Sequence, residues 1–134
     1  MADINKAGAV IIKDRRLLVS RSKGKGVFVA PGGKLEYGED DLAALARELR
    51  EEQSVEIDLD STELLGEFEA IAAGDDRERS IRMGVYIVNK YKGELTPSGE
   101  IEENAWVASK TELPLGSIFE HDVIPALVKR NLID

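Results

Sequence analysis

Between Asp41 and Gln53, the apolar residues Leu42, Leu45, Ala46 and Leu49 recur at helical spacing and form one face of an amphipathic helix. Asp40 or Asp41 is placed to cap its start and to meet the positive end of the helix dipole. A helix with a single apolar stripe has to bury that stripe, and the rest of the chain supplies mostly strands to bury it on. Residues 7–12 and 17–20 are apolar and β-branched around a polar turn at 13–16, which reads as a hairpin. "VFVAPGG" reads as a short strand stopped by Pro31 and two glycines. "SVEIDL", "ELLGEFEAIAA", "SIRMGVYIVNKYKGEL" and "NAWVAS" read as further strands, with "GDDRER" as a turn between the second and third. Helical spacing returns at Ile124, Leu127, Val128 and Leu132, with Pro125 acceptable only in a first turn. The expectation is an α/β (α+β) fold in which helices cover both faces of a mixed sheet.

With 134 residues, 43% of them hydrophobic and 33% charged, the chain has the composition of a globular protein and the length of a single domain, 1–134. The formal net charge of −8 argues against binding a nucleic-acid polymer, which requires a basic face to neutralise phosphates. Cysteine is absent and His121 is the sole histidine, so thiolate chemistry, a Ser/His/Asp triad and a His-rich zinc site are all unavailable. Carboxylate chemistry remains. No apolar run approaches the roughly 20 residues that span a bilayer, and "MADINKAG" is not secretory in type. A soluble, cytoplasmic protein without membrane contact is expected, as a monomer or homodimer.

On the helix, Glu48 neighbours both Glu51 and Glu52, because positions three and four apart lie side by side. Three like charges this close repel. Spacing alone admits two readings: a solvated surface compensated by Arg47 and Arg50, or a hard-cation site, since Mg²⁺ prefers carboxylate oxygens, water and phosphates.

The wider segment separates them. Gly33, Glu39, Arg47, Glu48, Leu49, Glu51, Glu52 and Val55 stand at the spacing of the Nudix box, and the chain closely resembles the Nudix hydrolase family. The flanking "PGGK", the hairpin before it and the later "IEENAWVAS" are similar to their counterparts in single-domain Nudix proteins of the MutT type. The one departure in the box is Ser54, where the family has glycine. A left-handed residue is often needed just past a helix end, and serine there costs roughly 1 kcal/mol.

The resemblance implies a Nudix-type α/β/α sandwich and hydrolysis of a nucleoside diphosphate linked to another group, with Mg²⁺ as cofactor and Mn²⁺ as a substitute. It implies that Gly33, through its carbonyl, Glu48, Glu51 and Glu52 hold the metal. It also implies that Arg47 pairs with Glu39 to brace the loop against the helix. Glu51, Glu52, Glu100 and Arg47 are then the catalytic candidates, with Glu100 favoured as extra ligand or general base because it precedes Trp106 as in MutT-type enzymes. The acids at 100–103 read equally as the solvation of a loop. Arg21, Lys34 and Arg79 are candidates for substrate phosphates, against the alternative of surface solubility.

For the substrate, "EAIAAGDD" lacks the proline or tyrosine that marks ADP-ribose and dinucleoside polyphosphate enzymes, and the coenzyme A motif is only faintly present before the box. A nucleoside triphosphate or a modified (d)NTP is left by elimination. ADP-ribose, nucleotide-sugar or dinucleoside polyphosphate hydrolysis is the alternative, and a nucleotide-sensing Nudix-fold module is the non-enzymatic one. Ala30 stands where MutT places an aromatic residue on the base. His121 and Asp122 stand near the place of its base-reading asparagine, which makes His121 a candidate donor. An isopentenyl diphosphate isomerase, of the same fold, needs a cysteine that this chain lacks.

Overall fold

The computed structural model describes residues 2–73 and 78–134. The strands are β1 (Ile4–Val10), β2 (Ile12–Lys13), β3 (Arg16–Ser22) and β4 (Gly32–Lys34), followed by helix α1 (Asp41–Gln53). Then come β5 (Glu56–Ile57), β6 (Glu63–Ala73), β7 (Glu78–Ile87), β8 (Tyr91–Lys92), β9 (Ile101–Val107) and helix α2 (Ile124–Lys129). One sheet has the order β4-β1-β7-β6, a second β2-β3-β9, and β5 pairs with β8. Because β1 runs parallel to β7 and antiparallel to β4, the central sheet is mixed.

Alternation along the strands places a helix on each face. Ala7, Ala9 and Ile11 pack with Leu18, Tyr86 and Val88 against Ala44, Leu45 and Leu49 of α1. Val10, Leu17, Val19, Val85 and Ile87 point the other way, onto Phe119, Val123, Ile124 and Leu127. Successive strand residues face opposite sides, so strands that are apolar at nearly every position need cover on both. The sandwich expected from the sequence is thus observed.

Four expectations about local structure differ. The hairpin exists, but only its tip is paired, as β2 with β3 around Asp14 and Arg15, whose positive φ values of 52° and 62° suit a tight two-residue turn. The "VFVAPGG" segment is no continuous strand. Val29 bridges to Ser20, Phe28 bridges to Leu115, and Ala9 donates to the carbonyl of Pro31 at 2.8 Å, so this segment is shared between the two sheets. The long strand expected over "SIRMGVYIVNKYKGEL" divides into β7 and β8, and Val128 is 46% exposed. A π turn over Phe119–Val123 precedes α2, and its extra residue moves the buried line onto Val123 and Ile124; the same wide turn admits Pro125. The expected turn at "GDDRER" falls largely outside the described residues.

Candidate active site

Helix α1 starts at Asp40, whose carboxylate accepts from the Ala43 amide at 2.8 Å. It ends at Ser54, in the left-handed conformation with φ 59° and ψ 33°. Between them the box glutamates separate by environment. Glu52 is buried, 7% exposed, and the Glu51 side chain is 58% exposed. Glu48 packs flat on the loop before the helix, where a Cβ at residue 33 would lie 2.8 Å from its Oε1. Only glycine there leaves the carboxylate its place. Gly32 donates its amide to Glu52 Oε1 at 3.0 Å, in a backbone conformation, φ 136°, that side chains rarely adopt.

Arg47 holds this loop. Its Nε and Nη2 donate to the two oxygens of Glu39 at 2.7 and 2.9 Å, Nη1 donates to Glu48 at 2.9 Å, and Nη2 also reaches the Lys34 carbonyl at 3.1 Å. The Arg47 hydrogen bonds keep the Glu39 carboxyl ionised down to about 2. The Glu52 carboxyl behaves in the opposite way. Burial, then its hydrogen bond with Glu48 and the nearby charges of Glu48 and Glu100, push it up to about 8. A buried carboxyl crowded by two others is costly to ionise without a cation. A surface-only reading of Glu48 and Glu52 therefore fails on burial. Among the described residues no three carboxylates converge as a finished coordination set. Glu48 and Glu52 nevertheless both meet the Gly32–Gly33 backbone and offer oxygen donors there, the chemistry a hard divalent cation takes.

Beyond Gly32 and Gly33 the same backbone forms one wall of a cavity of about 210 Å³. Its floor is the α2-facing side of the central sheet, with Gly8, Ala70, Ile81 and Met83, and its far wall is Ile118 and Phe119. A carboxylate cluster and an apolar cavity share one strip of glycine backbone.

The NUDIX domain family profile matches residues 4–127 of the chain. The chain belongs to the Nudix hydrolase family. It is a hydrolase of phosphorus-containing anhydrides that acts on nucleoside diphosphate derivatives, and Nudix hydrolases generally use divalent metal ions. Among solved structures it is similar to a MutT Nudix hydrolase from Burkholderia pseudomallei, at 26% identity and TM-score 0.76 over 93% of this chain and 95% of that one. It is also similar to the E. coli ORF135 protein, at 26% identity and TM-score 0.70 over 93% and 86% of the two chains. A UDP-X diphosphatase shares the fold, at 15% identity and TM-score 0.72 over 98% and 64%. No curated protein matches by sequence.

The loop that carries Glu100 caps α1: the Thr96 and Ser98 amides donate to the Gln53 and Glu52 carbonyls, and Ser98 Oγ donates to the Glu51 carbonyl at 2.8 Å. Ser54, standing in place of the family glycine, adds a 3.2 Å hydroxyl contact to Ser98. Lys34 and Arg79 are exposed and sit on β4 and β7, on the side of the sheet that forms the cavity floor. Arg21 is engaged elsewhere, donating to Glu103 at 2.9 Å and to the Lys25 carbonyl. The His121 side chain is 71% exposed beside Glu120 and does not line the cavity. Ala30 does line it.

Three features went unread in the sequence. Lys6 lines the cavity, and burial followed by the charge of Lys34 lowers its pKa. Gln53, fully buried, bonds Ser20 at 2.9 Å and Asn104 at 2.8 Å, tying the end of α1 to β3 and β9. Asp41 receives both terminal nitrogens of Arg82, at 2.7 and 2.8 Å, and the Tyr86 hydroxyl at 2.7 Å, while Arg82 also holds Glu67. The period-two pattern of β1 was the available signal for Lys6, since residues 7, 9 and 11 share one face and 6, 8 and 10 the other. The two networks join residues far apart in sequence and leave no local pattern.

The Glu52 environment predicts how stability depends on pH. Below about 4.5, its ordinary value, the carboxyl is protonated in folded and unfolded chains alike; from there to about 8 only the folded chain keeps the proton. Thermal melts in EDTA should therefore show stability falling as pH rises from 5.5 to 8.5, on the order of a few kcal/mol from this group. Mg²⁺ should restore most of it at pH 8.5. A melting curve that rises with pH and ignores Mg²⁺ would contradict the assignment.

Proposed function

We propose that this Nudix hydrolase is a Mg²⁺-dependent pyrophosphohydrolase, with Mn²⁺ as a substitute, acting in the cytoplasm on a nucleoside triphosphate or modified (d)NTP. The observation that carries this reading is the contact of Glu48 and Glu52 with the Gly32–Gly33 backbone at the mouth of an apolar cavity. A ligand with its phosphates at the carboxylates has room for a ring in the cavity. The likeness to a MutT Nudix hydrolase, at higher identity than to the UDP-X diphosphatase, favours a triphosphate over a nucleotide sugar.

Glu48, Glu51 and Glu52, with the Gly33 carbonyl, would hold the cation, which supplies neutralisation of phosphoryl oxygens and a more acidic water. Arg47 keeps Glu48 and the loop carbonyls in place through Glu39. Lys34 and Arg79 lie on the phosphate approach and attract the polyanion. Glu100, close enough to raise the Glu52 pKa, accepts a proton from the attacking water. The cavity wall excludes solvent from the ring end of the substrate.

The test is a panel of nucleoside triphosphates, ADP-ribose, nucleotide sugars and dinucleoside polyphosphates with Mg²⁺, the products identified by ³¹P NMR. Release of pyrophosphate and a nucleoside monophosphate is expected. Binding without release of any product would make the chain a sensing module. Glu100→Gln should lower kcat at least about 10-fold with little change in thermal stability. Full turnover in that variant would remove Glu100 from the mechanism.

A further inference from the structure

The cavity beside the carboxylates has an unusual polar inventory. Among its described lining residues, Lys6 has the one charged side chain and Ser117 the one other polar side chain; the rest are glycine, alanine and apolar groups. Two of the nearby amides are already used, Gly32 by Glu52 and Gly116 by the Phe28 carbonyl. Lys6 stands on β1 between Lys34 and Met83, and its neighbour across the strand pair, Lys34, is another cation. Among the described residues the Lys6 side chain forms no hydrogen bond and no ion pair, while its backbone is paired with β4 and β7. At about 210 Å³ the cavity is smaller than the roughly 300–1,000 Å³ of a site that takes a whole ligand, so it receives one end of a molecule.

We propose that Lys6 is a specificity-determining residue that selects nucleotides whose base presents a carbonyl oxygen to the cavity floor, and disfavours adenine. This rests on the reading that the carboxylates hold the phosphate end. An ammonium group is a donor with no acceptor capacity, so it is satisfied by a carbonyl and left facing a donor by an exocyclic amino group. In an apolar surrounding that mismatch weighs more than it would in water, because neither group regains its hydration. Ser117, which both donates and accepts, discriminates little. The lining therefore sorts bases by one edge, through one side chain.

Hypoxanthine and adenine test this most cleanly, since they differ at that edge with almost no change of shape. Binding of inosine and adenosine 5′-monophosphates is measured by calorimetry in EDTA, where no turnover takes place. The wild-type protein should prefer the inosine nucleotide by about 10- to 100-fold. Lys6→Met, which keeps the length of the side chain, should abolish that preference, and Lys6→Arg, also donor-only, should retain it. Equal affinity of the wild type for the two nucleotides, or no binding of either, would overturn the proposal. So would an equal loss for both in Lys6→Met, which would make Lys6 a phosphate clamp with Lys34. Absence of hydrolysis in the nucleotide panel, with the binding preference intact, would count against the proposed reaction and leave the role of Lys6 standing.

Discussion

Glu52→Gln should lose about 10²- to 10⁴-fold in kcat and gain stability in the same protein. The two effects have one origin. Glu52 is buried, accepts the Gly32 amide at 3.0 Å, and has its carboxyl pushed up to about 8 by desolvation and by Glu48. A glutamine keeps the shape and the acceptor for Gly32 and removes a charge that the fold is poorly built to ionise. Without a cation at pH 8 the variant should melt at least about 2 °C above the wild type. Its stability should change little between pH 5.5 and 8.5, where the wild type declines. With Mg²⁺ the order should narrow or reverse, because only the wild type has a charge for the cation to stabilise. A variant that is less stable and still active would show Glu52 to be an ordinary packing residue.

Arg47→Lys should be nearly as damaging for a different reason. The guanidinium takes Glu39 with two nitrogens, Glu48 with a third contact, and the Lys34 carbonyl besides. A lysine is a point charge and cannot reproduce that fork. With Arg47 and Glu39 both less than one-fifth exposed, the loss is expected to lower the midpoint of chemical denaturation. Freed from Arg47, the Gly32–Gly33 loop would no longer be fixed against Glu48, so kcat should fall together with stability. Glu39→Gln should reproduce a smaller version of both effects. Wild-type stability in Arg47→Lys would mean the clamp is incidental to the loop.

Much of this arrangement is readable from the chain because it is local. Helix α1 shows itself through Leu42, Leu45 and Leu49, and the Arg47–Glu39 pairing through the Nudix spacing, which places both within one loop and helix. The αL conformation at Ser54 follows from the same motif, since the family glycine marks a helix end. The second helix was harder, because the π turn at Phe119–Val123 breaks the 3.6-residue period on which the reading depends. Lys6 was legible only in part: strand alternation groups it with residues 8 and 10 but does not say what that face meets. Which face of β1 meets α1 and which meets the cavity is decided by the parallel pairing with β7, more than seventy residues away in sequence. The buried Gln53–Ser20–Asn104 set depends likewise on the β3–β9 register. His121, drawn toward the site by resemblance, lies on an exposed turn because the π turn carries Phe119 and Val123 inward instead.

The carboxylates of α1 are expected to hold a divalent cation against the Gly32–Gly33 loop. Titration of Mn²⁺ into the protein, with free Mn²⁺ followed by its electron paramagnetic resonance signal, tests it without reference to any substrate. The wild type should remove Mn²⁺ from solution with an affinity that strengthens as pH rises toward 8, and the Glu48→Gln, Glu52→Gln double variant should leave most of it free. Equal uptake by the two proteins would place the cation away from Glu48 and Glu52 and contradict a metal site on α1.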